Sequence, residues 1–158
     1  MKTKHLQIDE KNARQLYPTA SAEFKTMLED TFGKEFFSQK ITARIKTYED
    51  ACHEIGEQPI DAAQLKSQGF TDDEVYYRKL KTITKALNEG WKADYNDGDQ
   101  KKWFPWFYAS SSGFAFYATA YHYSNPDAGN AVRICFKSDE LATYAGQQFT
   151  ELYKGFIL

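Results

Sequence analysis

The sequence predicts an α+β fold: N-terminal helices, then a three-stranded antiparallel β-meander, then a C-terminal helix packed on the sheet. Three observations support this prediction. Apolar residues recur at helical spacing up to about residue 88. Beyond Gly90, aromatic and β-branched residues follow a period of two. After Lys137 the spacing becomes helical again. Helices first, sheet next and helix last are typical of the α+β class.

The first part of the chain is predicted to be helical because its apolar stripes begin after capping residues and end near glycine or proline. In the longest helix the apolar stripe belongs to the core, whereas the basic residues occupy the rest of the cylinder. The stripe consists of Tyr76, Leu80, Ile83 and Leu87, and the basic residues are Arg78, Lys79, Lys81 and Lys85. The predicted helices span residues 10–17, 20–32, 48–55, 62–68 and 71–88.

Three strands are predicted at residues 103–109, 113–123 and 130–137, because serine-rich and Asn-Pro-Asp turn segments separate these aromatic runs. The polar stretch 92–102 before them is predicted to be a mobile loop. A final helix follows Ser138, whose hydroxyl can cap it ahead of two acidic residues. Its core face is formed by Leu141, Ala145, Phe149, Leu152 and Phe156.

Length and composition favour one domain over residues 1–158, made of a helical extension (1–40), a helical region (41–90) and the sheet with the last helix (91–158). Hydrophobic residues make 42% of the chain and charged residues 27%, which is typical of globular proteins. The net charge of −2 gives no global attraction for nucleic acid, so duplex DNA is not an expected partner. The unusual feature is an aromatic content of 16%.

The expected location is the cytoplasm. The first residues are charged again before a signal-length apolar core accumulates, and no stretch approaches the roughly 20 apolar residues of a membrane span. Cys52 and Cys135 lie far apart in the chain, which suits reduced buried thiols, although a disulfide between them stays open. No membrane partner is predicted.

No catalytic, metal or cofactor site is predicted. His53-Glu54 begins like a zinc-protease helix but lacks the second histidine one turn later. Cys52, His122 and Cys135 supply the residue types of a zinc site without its spacing. The glycines are scattered singly, so neither a phosphate loop nor a dinucleotide fingerprint exists. An enzyme is therefore the weaker hypothesis.

The strand-rich region supplies the predicted binding surface. Strict alternation would put the tyrosines of residues 113–123 on one face, together with basic residues of the next strand. Aromatic rings and nearby cations can bind a partner or stack on bases. The competing interpretation, favoured by the number of amphipathic helices, is that the N-terminal helices cover this face. The predicted binding residues are Trp103, Trp106, Tyr117, Tyr121, Tyr123, Arg133 and Lys137.

Five short sequence segments resemble those of other proteins, and together they cover most of the last two-thirds of the chain. They are residues 46–52 (KTYEDAC), 87–91 (LNEGW), 103–107 (WFPWF), 133–138 (RICFKS) and 141–149 (LATYAGQQF). In these segments the chain resembles a group of short uncharacterised proteins from gut Bacteroidetes and their phages and prophages. The resemblance implies a phage or mobile-element setting, with the host cytosol as its location. It implies no catalytic residue.

The sequence therefore predicts a small non-enzymatic binding module, a phage- or prophage-associated accessory protein that uses the aromatic-rich sheet. Its expected partner is a protein or a small nucleotide-like ligand. One alternative is a binder of nucleotides or single-stranded nucleic acid that stacks bases on tyrosine, tryptophan and arginine. The other alternative is an unrecognised enzyme.

Overall fold

The computed structural model describes residues 7–123 and 133–158 and confirms an α+β fold with a two-stranded antiparallel sheet. The chain divides into two compact units, residues 1–44 and residues 45–158. The first unit ends four residues beyond the predicted end of the helical extension. The second unit contains both strands and the longest helix.

The first unit is helical over its described residues. Asp9 and Ser21 cap its two main helices by accepting hydrogen bonds from the backbone N–H groups three residues ahead. Four rings then pack together, with the centroids of Tyr17 and Phe37 only 4.1 Å apart; the other two are Phe32 and Phe36. Its elements are α1 (Glu10–Leu16), a 3-10 turn (Tyr17–Thr19), α2 (Ala22–Phe32), α3 (Lys34–Ser38) and α4 (Ile41–Arg44).

Three helices open the second unit, and the sequence predicted each of them to within two residues. Helix α5 begins with a capping box between Thr47 and Asp50 and ends at Gly56, which adopts the left-handed conformation that glycine favours. At the start of α7 the Thr71 N–H donates to the Glu74 carboxylate at 2.8 Å. The three helices are α5 (Tyr48–Ile55), α6 (Ala62–Ser67) and α7 (Asp72–Leu87).

Asp50 makes the stability of this capping box pH-dependent. Its carboxylate accepts N–H bonds from Lys46 and Thr47 at 2.9 and 2.8 Å, and the Lys46 bond is the main reason why the pKa of Asp50 lies below its usual value of 3.8. We expect Asp50→Ala to lower the free energy of unfolding by about 0.3–1.5 kcal/mol near neutral pH.

A carboxylate with a lowered folded-state pKa stabilises the protein above its unfolded pKa, and this contribution is lost as pH falls through the folded value. Urea melts of wild type and Asp50→Ala should therefore differ at pH 7 and converge as the pH falls from 3.8, the usual pKa of the carboxyl group, through its lowered folded-state pKa. A difference that stays constant over this range would show that the ionised carboxylate of Asp50 does not stabilise the helix.

The sheet is a hairpin of β1 (Lys102–Ser110) and β2 (Gly113–His122), paired antiparallel. The predicted third strand is not confirmed. Residues 130–132 lie outside the described residues, and the part that is described makes one antiparallel bridge, between Phe136 and Trp103. This bridge has two backbone hydrogen bonds of 2.7 and 3.0 Å. It joins the segment to β1, whereas a meander would have placed it beside β2.

Two helices, and not one, follow the sheet: α8 (Asp139–Gln148) and α9 (Thr150–Ile157). The helix breaks at Phe149, whose φ and ψ of −113° and 27° leave the helical region. Helix α8 lies close against the hairpin, because a Cβ on Gly146 would stand 2.4 Å from the Phe116 ring and 2.8 Å from Pro105. Among the described helices none is both long and apolar enough to cross a membrane.

Candidate functional site

A β-bulge changes which hairpin side chains share a face. Trp106 pairs with Ala118 and Phe107 with Phe116, so Tyr117 is an extra residue on β2. Directly paired residues of antiparallel strands point to the same side. Beyond the bulge the faces of β2 are therefore exchanged, and Phe116 lies on the same side as Thr119. Strict alternation, which predicted opposite faces for these two residues, does not hold.

One face of the hairpin packs on the C-terminal helices. The Phe107 ring lies 4.7 Å from that of Tyr153 in α9, Phe116 and Pro105 contact the backbone of Gly146, and the Thr119 hydroxyl donates to Asp139 at the start of α8. The tyrosines that the competing interpretation placed under helices are not buried. Tyr117, Tyr121 and Tyr123 are 67%, 43% and 44% exposed.

The opposite side, which we call the outer face, carries exposed aromatic rings. Trp106 and Tyr108 are 55% and 62% exposed, and the Tyr108 and Tyr117 rings lie 5.9 Å apart. Phe104 lies 6.2 Å from Trp106 and completes a row along β1. We define the outer face as Phe104, Trp106, Tyr108, Tyr117, Ala118 and Ala120.

The remaining predicted aromatic residues form a separate group at the open end of the hairpin. Trp103 pairs with Tyr121, with ring centroids 4.7 Å apart, and the Tyr123 ring lies 5.4 Å from that of Tyr121. The Lys101 ammonium lies 4.4 Å from the Tyr121 ring centroid. This end cluster of Lys101, Trp103, Tyr121 and Tyr123 continues the face on which α8 packs.

The two predicted basic residues join neither aromatic group. Lys137 forms an ion pair with Glu89 at 3.0 Å, and Arg133 lines a pocket beside α7. Asn88 holds the segment between them, because its buried amide donates to the Cys135 carbonyl at 2.8 Å and accepts from the Lys137 N–H at 3.0 Å. The structure thus distributes the seven predicted binding residues over four places: the outer face, the end cluster, the pocket with Arg133, and the ion pair of Lys137 with Glu89.

The pocket that contains Arg133 has a volume of about 500 Å³, and one of its walls is formed by a face of α7 and the C-cap residue Asn88. Lys81, Thr84, Lys85 and Asn88 occupy positions i, i+3, i+4 and i+7 of this helix, which share one side of the cylinder. The sequence analysis placed Lys81 and Lys85 outside the apolar stripe of this helix and gave them no binding role. Their spacing with Thr84 and Asn88 was the signal that could have identified this lining.

Residues after α7 form the other wall of this pocket, where Trp91, Lys92 and Tyr95 contribute to its lining. The predicted mobile loop is internally bonded: the side chains of Asp94 and Asp97 accept backbone N–H bonds within it. Lys102, which is fully buried, donates to the carbonyl groups of Asp97 and Gln100 at 3.4 and 3.0 Å. These bonds fix the loop against the start of β1. We call this site, defined by Lys81, Thr84, Lys85, Trp91, Lys92 and Arg133, the cationic pocket.

Two ionisable groups of the cationic pocket stay neutral at pH 7. Burial raises the pKa of Tyr95 to about 12, and Cys135 next to it acts in the same direction. Burial also raises the pKa of Cys135, although Tyr95 and Lys102 oppose that shift. Neither residue therefore supplies negative charge to offset the surrounding lysine and arginine side chains.

Cys52 and Cys135 are both free and buried, as expected for reduced thiols. Within residues 7–123 and 133–158, no three His, Cys, Asp or Glu side chains lie close enough together to hold a metal ion.

Comparison of the chain with protein-family models, with curated proteins and with solved structures found no match. The resemblance to short proteins of Bacteroidetes and their phages therefore stays a prediction from the five sequence segments alone. Any function must be argued from the outer face, the end cluster and the cationic pocket themselves.

Proposed function

We propose that the chain is a non-enzymatic binding module whose outer face docks an extended, apolar segment of another protein. The observation that carries this proposal is the exposure of three large rings, Trp106, Tyr108 and Tyr117, each more than half accessible on one side of the hairpin. Tryptophan and tyrosine supply much of the binding energy at protein interfaces, because they bury a large rigid area at a low entropic cost.

The charge of the outer face favours a protein over a nucleic acid. Of the described residues on that side, the ones that are exposed are uncharged: Trp106, Tyr108, Ser110, Gly113, Ala115 and Tyr117. Nucleic-acid binding depends on lysine and arginine contacts to phosphate. An uncharged aromatic surface instead matches apolar side chains, whose burial requires no charge to be desolvated.

An extended segment is the expected form of this partner, because β2 has an available edge. Within the described part of the chain β2 pairs only with β1, so N–H and C=O groups along its second edge can bond an added strand. The outer-face rings would then contact alternate side chains of that strand. From the sequence resemblance, the expected setting is a phage or prophage accessory protein in the host cytosol.

A peptide selection tests this proposal with a defined probe. A random peptide library displayed on phage is selected against the wild-type chain, and the dissociation constant of an enriched peptide is measured by titration calorimetry. We expect Tyr117→Ala to raise the dissociation constant of this peptide more than tenfold, which corresponds to about 1.4 kcal/mol of binding free energy, while the urea melt stays cooperative. Tyr123→Ala in the end cluster makes the same chemical change at another exposed tyrosine and should leave the affinity unchanged.

Three results would contradict the proposal. The selected peptides could bind Tyr117→Ala and Trp106→Ala as tightly as wild type. The chain could sediment as a dimer that Tyr117→Lys dissociates, in which case a second copy occupies the outer face. An oligothymidine could bind and be released by Tyr121→Ala, which would move the function to stacking at the end cluster, where Lys101 supplies a cation.

A further inference from the structure

The cationic pocket concentrates positive charge where the outer face has none. Lys81, Lys85, Lys92 and Arg133 all line it, and no acidic side chain does so among the lining residues that the structure describes. Glu57 approaches from outside the lining and pairs with the Lys85 ammonium at 2.6 Å. One carboxylate against four cations leaves a positive surplus, which would attract an anion into the pocket.

The end of α7 explains only part of this charge. Cations near a helix C-terminus are stabilised by the backbone carbonyl groups, which accounts for Lys85 in the last turn. Lys92 and Arg133, however, come from outside the helix. Three separate chain segments therefore bring cations to the same pocket.

A buried hydroxyl in the lining has no partner in the structure. Thr84 is 7% exposed, it lines the pocket, and its Oγ1 makes no hydrogen bond. A buried polar group without a partner is costly, so such groups are rare and point to a bonding partner that is supplied from elsewhere. Rotation about χ1 of Thr84 would turn this buried hydroxyl toward the pocket, where an anionic oxygen would accept its hydrogen bond.

We propose that the cationic pocket binds a nucleoside phosphate, with the phosphate held by the basic side chains and Thr84, and the base placed against Trp91. A phosphate ion alone would occupy a small part of the 500 Å³, which falls within the range of ligand pockets. The Trp91 ring supplies a stacking surface that any base can use. This ligand site is separate from the outer face and does not depend on the protein-binding proposal.

Titration calorimetry with ADP tests the site, with three smaller probes that separate its parts: adenosine, ribose 5-phosphate and inorganic phosphate. We expect ADP to bind more tightly than any of the three. Higher salt should weaken its binding, because the ammonium and guanidinium contacts to phosphate are screened. Equal binding of ADP and inorganic phosphate would reduce the site to a simple anion site and would overturn the proposal.

Four substitutions connect the affinity to the named residues. We expect Lys92→Gln and Arg133→Gln each to lower the affinity for ADP about fivefold or more, since each removes one charged contact to phosphate. Trp91→Ala should lower the affinity for ADP but leave the affinity for ribose 5-phosphate unchanged. The matched control is Lys154→Gln, which removes a lysine paired with Glu151 on α9 and should leave ADP binding at the wild-type value.

Thr84→Val separates ligand binding from stability. Valine has nearly the same shape and removes only the unpartnered hydroxyl, so the melting temperature without ligand should stay the same or rise. The affinity for ADP should nevertheless fall about threefold or more. No measurable ADP binding at about 1 mM, or wild-type affinity in both Lys92→Gln and Arg133→Gln, would overturn the proposal while leaving the outer-face proposal intact.

Discussion

We expect Phe136→Ala to lower the free energy of unfolding by about 3–5 kcal/mol, because it deletes a large aromatic side chain at a completely buried position. Phe136 also stands where three parts of the second unit meet. Its backbone bridges Trp103 in β1, and its neighbours Cys135 and Lys137 are bonded by Asn88 at the end of α7. Surrounding elements fixed in this way can fill only part of the cavity that alanine would leave.

Urea melts of wild type and variant measure this loss. Tyr108→Ala is the matched control, since it also truncates an aromatic residue but on the exposed outer face, and it should change stability by less than about 0.5 kcal/mol. A loss below about 0.5 kcal/mol for Phe136→Ala would show that residues 133–137 do not belong to the core.

Leu80→Ala is expected to lower the free energy of unfolding by about 2–5 kcal/mol. Leu80 lies in the middle of α7 and is 1% exposed, so truncation leaves a cavity beneath the longest described helix. The neighbouring stripe positions Ile83 and Leu87 are buried to the same degree and cannot all move to fill it. The midpoint of the urea transition should fall while its slope stays near the wild-type value.

Leu16→Ala provides the control for Leu80, because Leu16 is 43% exposed at the end of α1 and the chemical change is identical. Its expected cost is within about 0.5 kcal/mol. Equal effects of the two substitutions would mean that the apolar stripe of α7 is not a core face.

Local sequence signals predicted the helices of the second unit well. Helix α5 has the predicted bounds, residues 48–55, because both of its ends are set by nearby residues: the Thr47–Asp50 capping box and Gly56. Helix α7 follows the same logic, with acidic residues after Thr71 and an apolar stripe that ends at Leu87. Bonds of this kind form between residues three or four apart, so the sequence contains them directly.

Features that depend on tertiary contacts could not be predicted in this way. The apolar spacing runs without interruption through Phe149, yet the helix breaks there and a Thr150 hydroxyl bonds the Gly146 carbonyl. The bulge at Tyr117 left no sequence signal either, since rings occur on both sides of it. A one-residue shift reverses every later side chain, which is why the predicted binding surface is split in the structure.

The candidate sites were likewise predicted from the sequence only in part. Trp106 and Tyr117 were predicted as binding residues and lie together on the outer face, but Tyr108, which the sequence analysis did not select, is equally exposed there. Arg133 was predicted for the sheet and lies instead in the cationic pocket. That pocket joins α7 to residues more than 40 positions later in the chain, a proximity that no local pattern encodes.

Chemical-shift mapping is the most direct test of the outer face as the binding surface. Spectra of the ¹⁵N-labelled chain are recorded while a peptide selected against the wild type is added. The largest shifts should fall on Trp106, Tyr108 and Tyr117 and along the backbone of β2, with the α8 residues that pack on the opposite side changing little. Shifts concentrated on α8 and α9, or on the residues of the cationic pocket, would contradict the assignment of this function to the outer face.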